Sequence, residues 1–166
     1  VAHTECQVVD TRKTLPGWRA LDKFAVACGG GTNHRFALYD GILLKDNHIA
    51  AAGSIENAVV TALRGAASGM QVQVEVESLA EAENACQAGA DFLLLDNQTP
   101  EQVRAIVQKL GDGAILEASG GITLANLKDY AETGVHRISL GALTHSAPAA
   151  DVALELEGRT DGREPA

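Results

Sequence analysis

A chain of 166 residues with 46% apolar and 21% charged side chains is long enough for one core and has the balance of an ordinary soluble domain. Its 13 Lys and Arg against 22 Asp and Glu give a formal charge of −9, which argues against a generic nucleic-acid or anionic-membrane surface. No apolar run approaches the roughly 18 residues that span a bilayer, and no signal-peptide pattern opens the chain. Cys6, Cys28 and Cys86 are odd in number, widely spaced and without a CxxC pair. They read as buried, reduced thiols of a cytoplasmic protein.

In chain order, short apolar runs at 6–10, 41–45, 72–76, 92–96, 114–118 and 137–141 read as strands. From the third onward they begin 20, 22 and 23 residues apart, the length of one strand, loop and helix. Ser78-Leu-Ala-Glu81 predicts a capping box and a helix running to Gly89. Thr99-Pro100 predicts a capped helix with proline at its first position, and 123–134 repeats the plan from Thr123 to Gly134. Alternating strands and helices imply an α/β fold with a parallel sheet, either open and doubly wound or closed as a barrel. The barrel is favoured because the runs lead into charged or glycine-rich segments, and barrels collect function at strand C-termini. Six strands are fewer than eight, so the expectation is an incomplete TIM-like (β/α) barrel over 1–157. The segment 158–166 reads as a flexible tail.

Charge is unevenly placed. Residues 1–50 carry six basic and five acidic side chains, and the remainder seven and seventeen. The first strand ends in Asp10-Thr-Arg12-Lys13-Thr, and adjacent cations there face either an anionic ligand or plain solvent. Gly29-Gly-Gly31-Thr-Asn33-His34-Arg35 is either a flexible loop or a clamp for a planar anion, since guanidinium grips carboxylate at two points. Lys45 projects from the end of the second strand, and His48 just after it reads more readily as a hydrogen-bonding residue than as a catalyst. Glu75 and Asp96 stand at matching heights on the next two strands. Such a pair serves acid–base work, Mg²⁺ or sugar hydroxyls, unless Glu75 is simply paired with a neighbouring Lys or Arg. Ser119-Gly120-Gly121, a helix expected to start near Thr123, and Gly141-Ala-Leu-Thr-His145 together describe a phosphate cradle.

Asp10-Thr-Arg-Lys-Thr-x-Pro-Gly-x-Arg19, Gly29-Gly-Gly-x-Asn-His-Arg35 and Leu43-x-Lys-Asp-Asn-His48 closely resemble the quinolinate phosphoribosyltransferase family. Glu75, Leu95-Asp96-Asn97, Glu117-Ala-Ser-Gly-Gly121 and Gly141-Ala-Leu-Thr-His145 continue the likeness in order, to about residue 157. Trp18 departs from it, standing where the family often has Leu. The resemblance implies transfer of phosphoribose from phosphoribosyl pyrophosphate to quinolinate with decarboxylation, giving nicotinate mononucleotide, pyrophosphate and CO₂. It further implies that Arg12, Lys13, His34, Arg35 and Lys45 hold quinolinate. Lys13, Glu75, Asp96, Ser119, Gly120, Gly121, Gly141 and His145 would then meet the phosphoribosyl substrate. Lys45, Glu75 and Asp96 are the candidate catalytic residues, with Glu75 and Asp96 meeting Mg²⁺ directly or through water. A homodimer or higher homo-oligomer is implied, without nucleic-acid or membrane partners.

The family carries an N-terminal domain that caps the barrel of a second subunit and lends it an arginine. With Val1 opening this chain, the expectation is the barrel portion of a longer enzyme, impaired on its own. The alternatives are a related barrel acting on another small aromatic acid, or a fragment that only binds phosphate or assembles.

Overall fold

The computed structural model describes residues 1–156, so the tail expected at 158–166 lies outside the described residues. The chain alternates β1 (Gln7–Val9), α1 (Arg19–Cys28), β2 (Ile42–Leu44), α2 (Asp46–Ala52), α3 (Ile55–Gly65), β3 (Val72–Val76) and α4 (Leu79–Gln87). It continues through β4 (Phe92–Asp96), α5 (Pro100–Leu110), β5 (Ile115–Ser119), α6 (Leu127–Ala131), β6 (Arg137–Ser139) and α7 (Ala142–His145). The strands form one parallel sheet in the order β1-β6-β5-β4-β3-β2, curled but not closed, which is the incomplete barrel expected. Alternation along each strand sends Val72, Val74, Val76, Leu93, Leu95, Leu116 and Ile138 into the core beneath the helices. The opposite parity, with Gln73, Glu75, Leu94, Asp96, Glu117 and Ser139, lines the barrel interior. Polar residues on apolar strands thus mark the inner face.

The helices start where their side chains satisfy free backbone N–H groups. Thr99 Oγ1 accepts from Gln102 N–H while the Gln102 side chain accepts from Thr99 N–H, and Pro100 opens α5. Ser78 Oγ accepts from Glu81 N–H as expected, but the Glu81 carboxylate takes the N–H of Glu77 at 2.8 Å, one residue outside the predicted box. The helix expected from Thr123 begins only at Leu127. Asn126 Oδ1 takes the Thr123 N–H at 2.7 Å and its Nδ2 donates to Gly121 O, so a turn replaces the first helical turn. The cysteines also differ from expectation. Cys28 is exposed and Cys6 and Cys86 are half-buried, with burial pushing the Cys6 thiol up to about 11.

One buried network orders the segment between β1 and β2. Thr32 pairs alongside Val9, with Thr32 N–H donating to Val8 O and Asp10 N–H to Thr32 O, so the segment after α1 extends the sheet edge. Asp10, wholly buried, accepts from Lys23 Nζ at 2.5 Å and from His34 N–H at 2.8 Å on one oxygen. Its other oxygen accepts from Asn33 Nδ2 at 2.7 Å. Lys23 is 3% exposed and also donates to His34 O at 2.9 Å, while Asn33 Nδ2 donates to Lys23 O at 2.8 Å. Removing one member strands a charge in the core, which costs about 3–5 kcal/mol. Lys23→Met is therefore expected to lower unfolding free energy by that order in a urea titration.

Candidate active site

The strand C-termini surround a cavity of about 580 Å³. All the sequence-predicted site residues line it: Arg12, Lys13, His34, Arg35, Lys45, Glu75, Asp96, Ser119, Gly120, Gly121, Gly141 and His145. Asn97 and Ser139 join them without having been predicted.

The cations share one wall. The loop after β1 turns at residues 15–18, with Trp18 N–H donating to Leu15 O, so Leu-Pro-Gly forms the turn its sequence requires. Arg19 pins that loop, its guanidinium donating to Thr14 Oγ1, to Arg12 O and to Phe36 O. Thr144 Oγ1 donates to Lys13 O at 2.6 Å. The main chain of both cations is thus held from behind while their side chains reach the cavity. Arg35 anchors its guanidinium on Gly41 O at 2.8 Å. Burial and then the nearby Arg12 charge lower its pKa, with Asp40 opposing. Two guanidiniums that repel each other in a half-buried site are a binding wall for anions.

Lys45 follows β2, and its ammonium pairs with Glu75 on β3. The alternative that Glu75 is partnered by a neighbouring cation is the one the geometry shows. The equal heights expected of Glu75 and Asp96 are corrected by the register. Glu75 lies level with Leu94, so Asp96 stands two residues, roughly 6.5 Å, further toward the mouth. Burial pushes the Asp96 carboxyl up, as does the Glu75 charge, while Lys45 offsets part of the effect. Asn97 Nδ2 donates to Asp96 Oδ2 at 2.6 Å.

Across the mouth, Gly120 sits at φ +91°, and a Cβ there would lie 2.2 Å from Asn97 Oδ1 and 2.8 Å from Asn97 N. Only glycine lets the β4 and β5 ends meet so closely. A Cβ on Gly141 would strike His145 Nε2 at 2.6 Å, so the two are shaped as a unit. The helix end expected near Thr123 contributes nothing to this cradle, because its first N–H is bonded within the turn.

His48 does not line the cavity. Its Nδ1 accepts from Lys45 N–H at 3.0 Å, capping α2, the hydrogen-bonding role left open by the sequence. His34 does line it, but both ring nitrogens are engaged by the protein. Nδ1 accepts from Arg35 N–H at 2.8 Å, so Nε2 carries the proton and faces Gln73 Oε1 at 3.0 Å and Glu117 Oε1 at 3.3 Å. The ring thus lines the cavity with its nitrogens turned to protein partners. Lys23 and Gln73 escaped sequence reasoning, and Asp10 and Glu117 stand in the quoted motifs without a role of their own. Their signal was a charged or amide residue inside an apolar run or on an apolar helix face.

A cationic wall, a staggered pair of acids and a glycine-built cradle at the C-terminal ends of parallel strands define an α/β-barrel domain for small polyanions. Residues 1–155 match the family model for the quinolinate phosphoribosyl transferase C-terminal domain. The chain is 47% identical over 152 residues to a probable nicotinate-nucleotide pyrophosphorylase [carboxylating] of Bacillus subtilis, covering 92% of this chain and 53% of that protein. It is 43% identical over 152 residues to the Homo sapiens nicotinate-nucleotide pyrophosphorylase [carboxylating], covering 90% and 51%. The crystal structure of NadC from Streptococcus pyogenes superposes with a TM-score of 0.85 at 44% identity, covering 89% of this chain and 52% of that one. The chain belongs to the quinolinate phosphoribosyl transferase family, matching its C-terminal domain. It spans about half the length of the relatives it matches.

The raised pKa of Asp96 has a signed consequence for stability. A carboxyl whose folded pKa exceeds its unfolded value destabilises the fold above the folded pKa, and this penalty disappears as pH falls through it. In metal-free buffer, Asp96→Asn should raise the melting temperature at pH 7, and the gain should vanish on acidification through the folded pKa. A gain that persists or grows at low pH would contradict the assignment.

Proposed function

We propose that the protein containing this chain transfers phosphoribose from phosphoribosyl pyrophosphate to quinolinate, with loss of CO₂. The observation that carries the reading is the wall of Arg12 and Arg35, two neighbouring guanidiniums with no ion-pair partner among the described residues, facing a glycine cradle across one cavity. Quinolinate is a planar dianion, and Arg12, Arg35 and Lys45 supply cations for both carboxylates. Lys13 is exposed at the rim and reaches either substrate. Ser119, Gly120, Gly121, Gly141 and His145 seat the 5′-phosphate.

The ring nitrogen attacks the anomeric carbon as its bond to pyrophosphate oxygen breaks. Glu75 and Asp96 stabilise positive charge developing on the ribose and hold its hydroxyls. The nitrogen is then cationic, so the adjacent carbon–carboxylate bond breaks, CO₂ leaves, and the electron pair left on carbon takes a proton. The protein's part is to position and to neutralise, without a covalent intermediate.

No group of three or more His, Cys, Asp or Glu able to hold a metal occurs among the described residues. Burial, and after it the charge of Glu75, nonetheless raise the Asp96 carboxyl. Glu75 and Asp96 are the residues that would hold a Mg²⁺, directly or through water, and such an ion would supply positive charge to offset that of the phosphates. No described helix is long and apolar enough to cross a membrane. Trp18, Leu21 and Phe24 are exposed along α1, which fits a homodimer or higher assembly of the whole protein.

In the native full-length protein, Arg35→Ala or Lys45→Ala should cut kcat/KM for quinolinate on the order of 100-fold with the fold retained. Release of CO₂ and pyrophosphate is the measurement. Near-wild-type turnover in either variant would overturn the proposed reaction.

A further inference from the structure

Beneath the cavity floor lies a polar cluster that touches no substrate position and is costly to keep. Glu117 on β5 has no exposure and Gln73 on β3 has 3%. Glu117 Oε1 accepts from Ser139 Oγ–H and lies 3.3 Å from His34 Nε2, at ion-pair distance, while Glu117 Oε2 has no hydrogen-bond partner. Gln73 Oε1 accepts from the same His34 Nε2–H, and Gln73 Nε2 is likewise unpartnered. A buried carboxylate and a buried amide, each with an orphaned atom, cost stability. Leu or Met at either site would pack better, so burial alone does not account for them.

We infer that Glu117, assisted by Gln73, is a positioning residue for the cationic wall, acting through His34 on Arg35. His34 reaches the interior from the gap between β1 and β2 and meets acceptors on β3 and β5 together. Those acceptors hold the proton on Nε2 and fix the plane of the ring. Nδ1 is thereby left as an acceptor, and the N–H it takes is that of Arg35. The Arg35 main chain is set by this bond, and its guanidinium is then latched on Gly41 O. Glu117 also takes the hydroxyl proton of Ser139, which lines the cavity, so Ser139 presents lone pairs rather than a donor to a bound molecule. The floor is thus turned against carboxylate oxygens, which are left to the arginine wall. This inference rests on the quinolinate reading of the cavity.

The test uses Glu117→Met and Glu117→Gln in the native full-length protein, with three readouts: thermal stability, KM for each substrate, and the imidazole ¹⁵N spectrum of His34. The Met variant should keep or gain melting temperature and raise KM for quinolinate roughly tenfold, the size of a coupling between contacting residues. KM for phosphoribosyl pyrophosphate should stay within about twofold, since the Glu117 side chain bonds Ser139 and none of the cradle residues beyond it on β5 and β6. In its spectrum, the pyrrole-like Nε2 and pyridine-like Nδ1 resonances should converge as the two tautomers mix. The Gln variant retains an oxygen toward Ser139 and His34, and it should recover most of the lost affinity. An unchanged quinolinate KM or an unchanged His34 spectrum in the Met variant would overturn the inference. So would a Met variant that fails to fold, or one in which both KM values rise together. If the wild-type protein turns over no quinolinate, the functional reading fails, while the His34 spectrum still judges the positioning.

Discussion

Asp10, wholly buried in the lining of the cavity, holds it in place. Its carboxylate is sealed from solvent and takes Lys23 Nζ, the His34 N–H and the Asn33 amide, tying the end of β1, the middle of α1 and the segment after α1 to one point. Without that point the segment 31–35 would be a glycine-rich loop free to move, and His34 and Arg35 would not face β3 and β5. β1 and β2 do not pair with each other, so the six-stranded sheet stays open, and the polar knot on Asp10 orders the segment between them. The knot costs desolvation of a charged pair, offset by the hydrogen bonds that satisfy almost every atom of it.

The same logic runs through the cationic wall. Arg12 and Lys13 have their carbonyls taken by Arg19 and Thr144, so the loop is rigid while the cationic ends remain available. Lys45 differs, because it begins already neutralised by Glu75. An anion entering the cavity meets two unpaired guanidiniums first and then competes with Glu75 for Lys45.

Much of this was legible in the sequence. The residues 72–76 and 92–96 are the observed β3 and β4, because valine at every second position of the one and the leucine run of the other, each bounded by turns, leave little freedom. β1, β2 and β6 are each three residues long, shorter than their apolar runs. β2 pairs on one side only and β1 meets just the single bridge to Thr32 on its other side, and Asp10 and Lys45 already belong to the loops. The site residues were found because charge at a strand end is a local signal. What a single sequence could not supply was direction. His34 reads identically whether its ring faces a ligand or the core, and only the meeting of Gln73 and Glu117 from distant strands decides it. Thr123 failed for a related reason, since Asn126 competes for its N–H and a turn wins over a helix.

The central claim is that the mouth is built for a dicarboxylate. Calorimetric titration of the native full-length protein with quinolinate and with nicotinate, which lacks one carboxylate, tests it most directly. Quinolinate should bind about tenfold or more tightly, and its advantage should shrink as salt screens the wall. Equal affinities for the two acids, or a preference for nicotinate, would contradict the account.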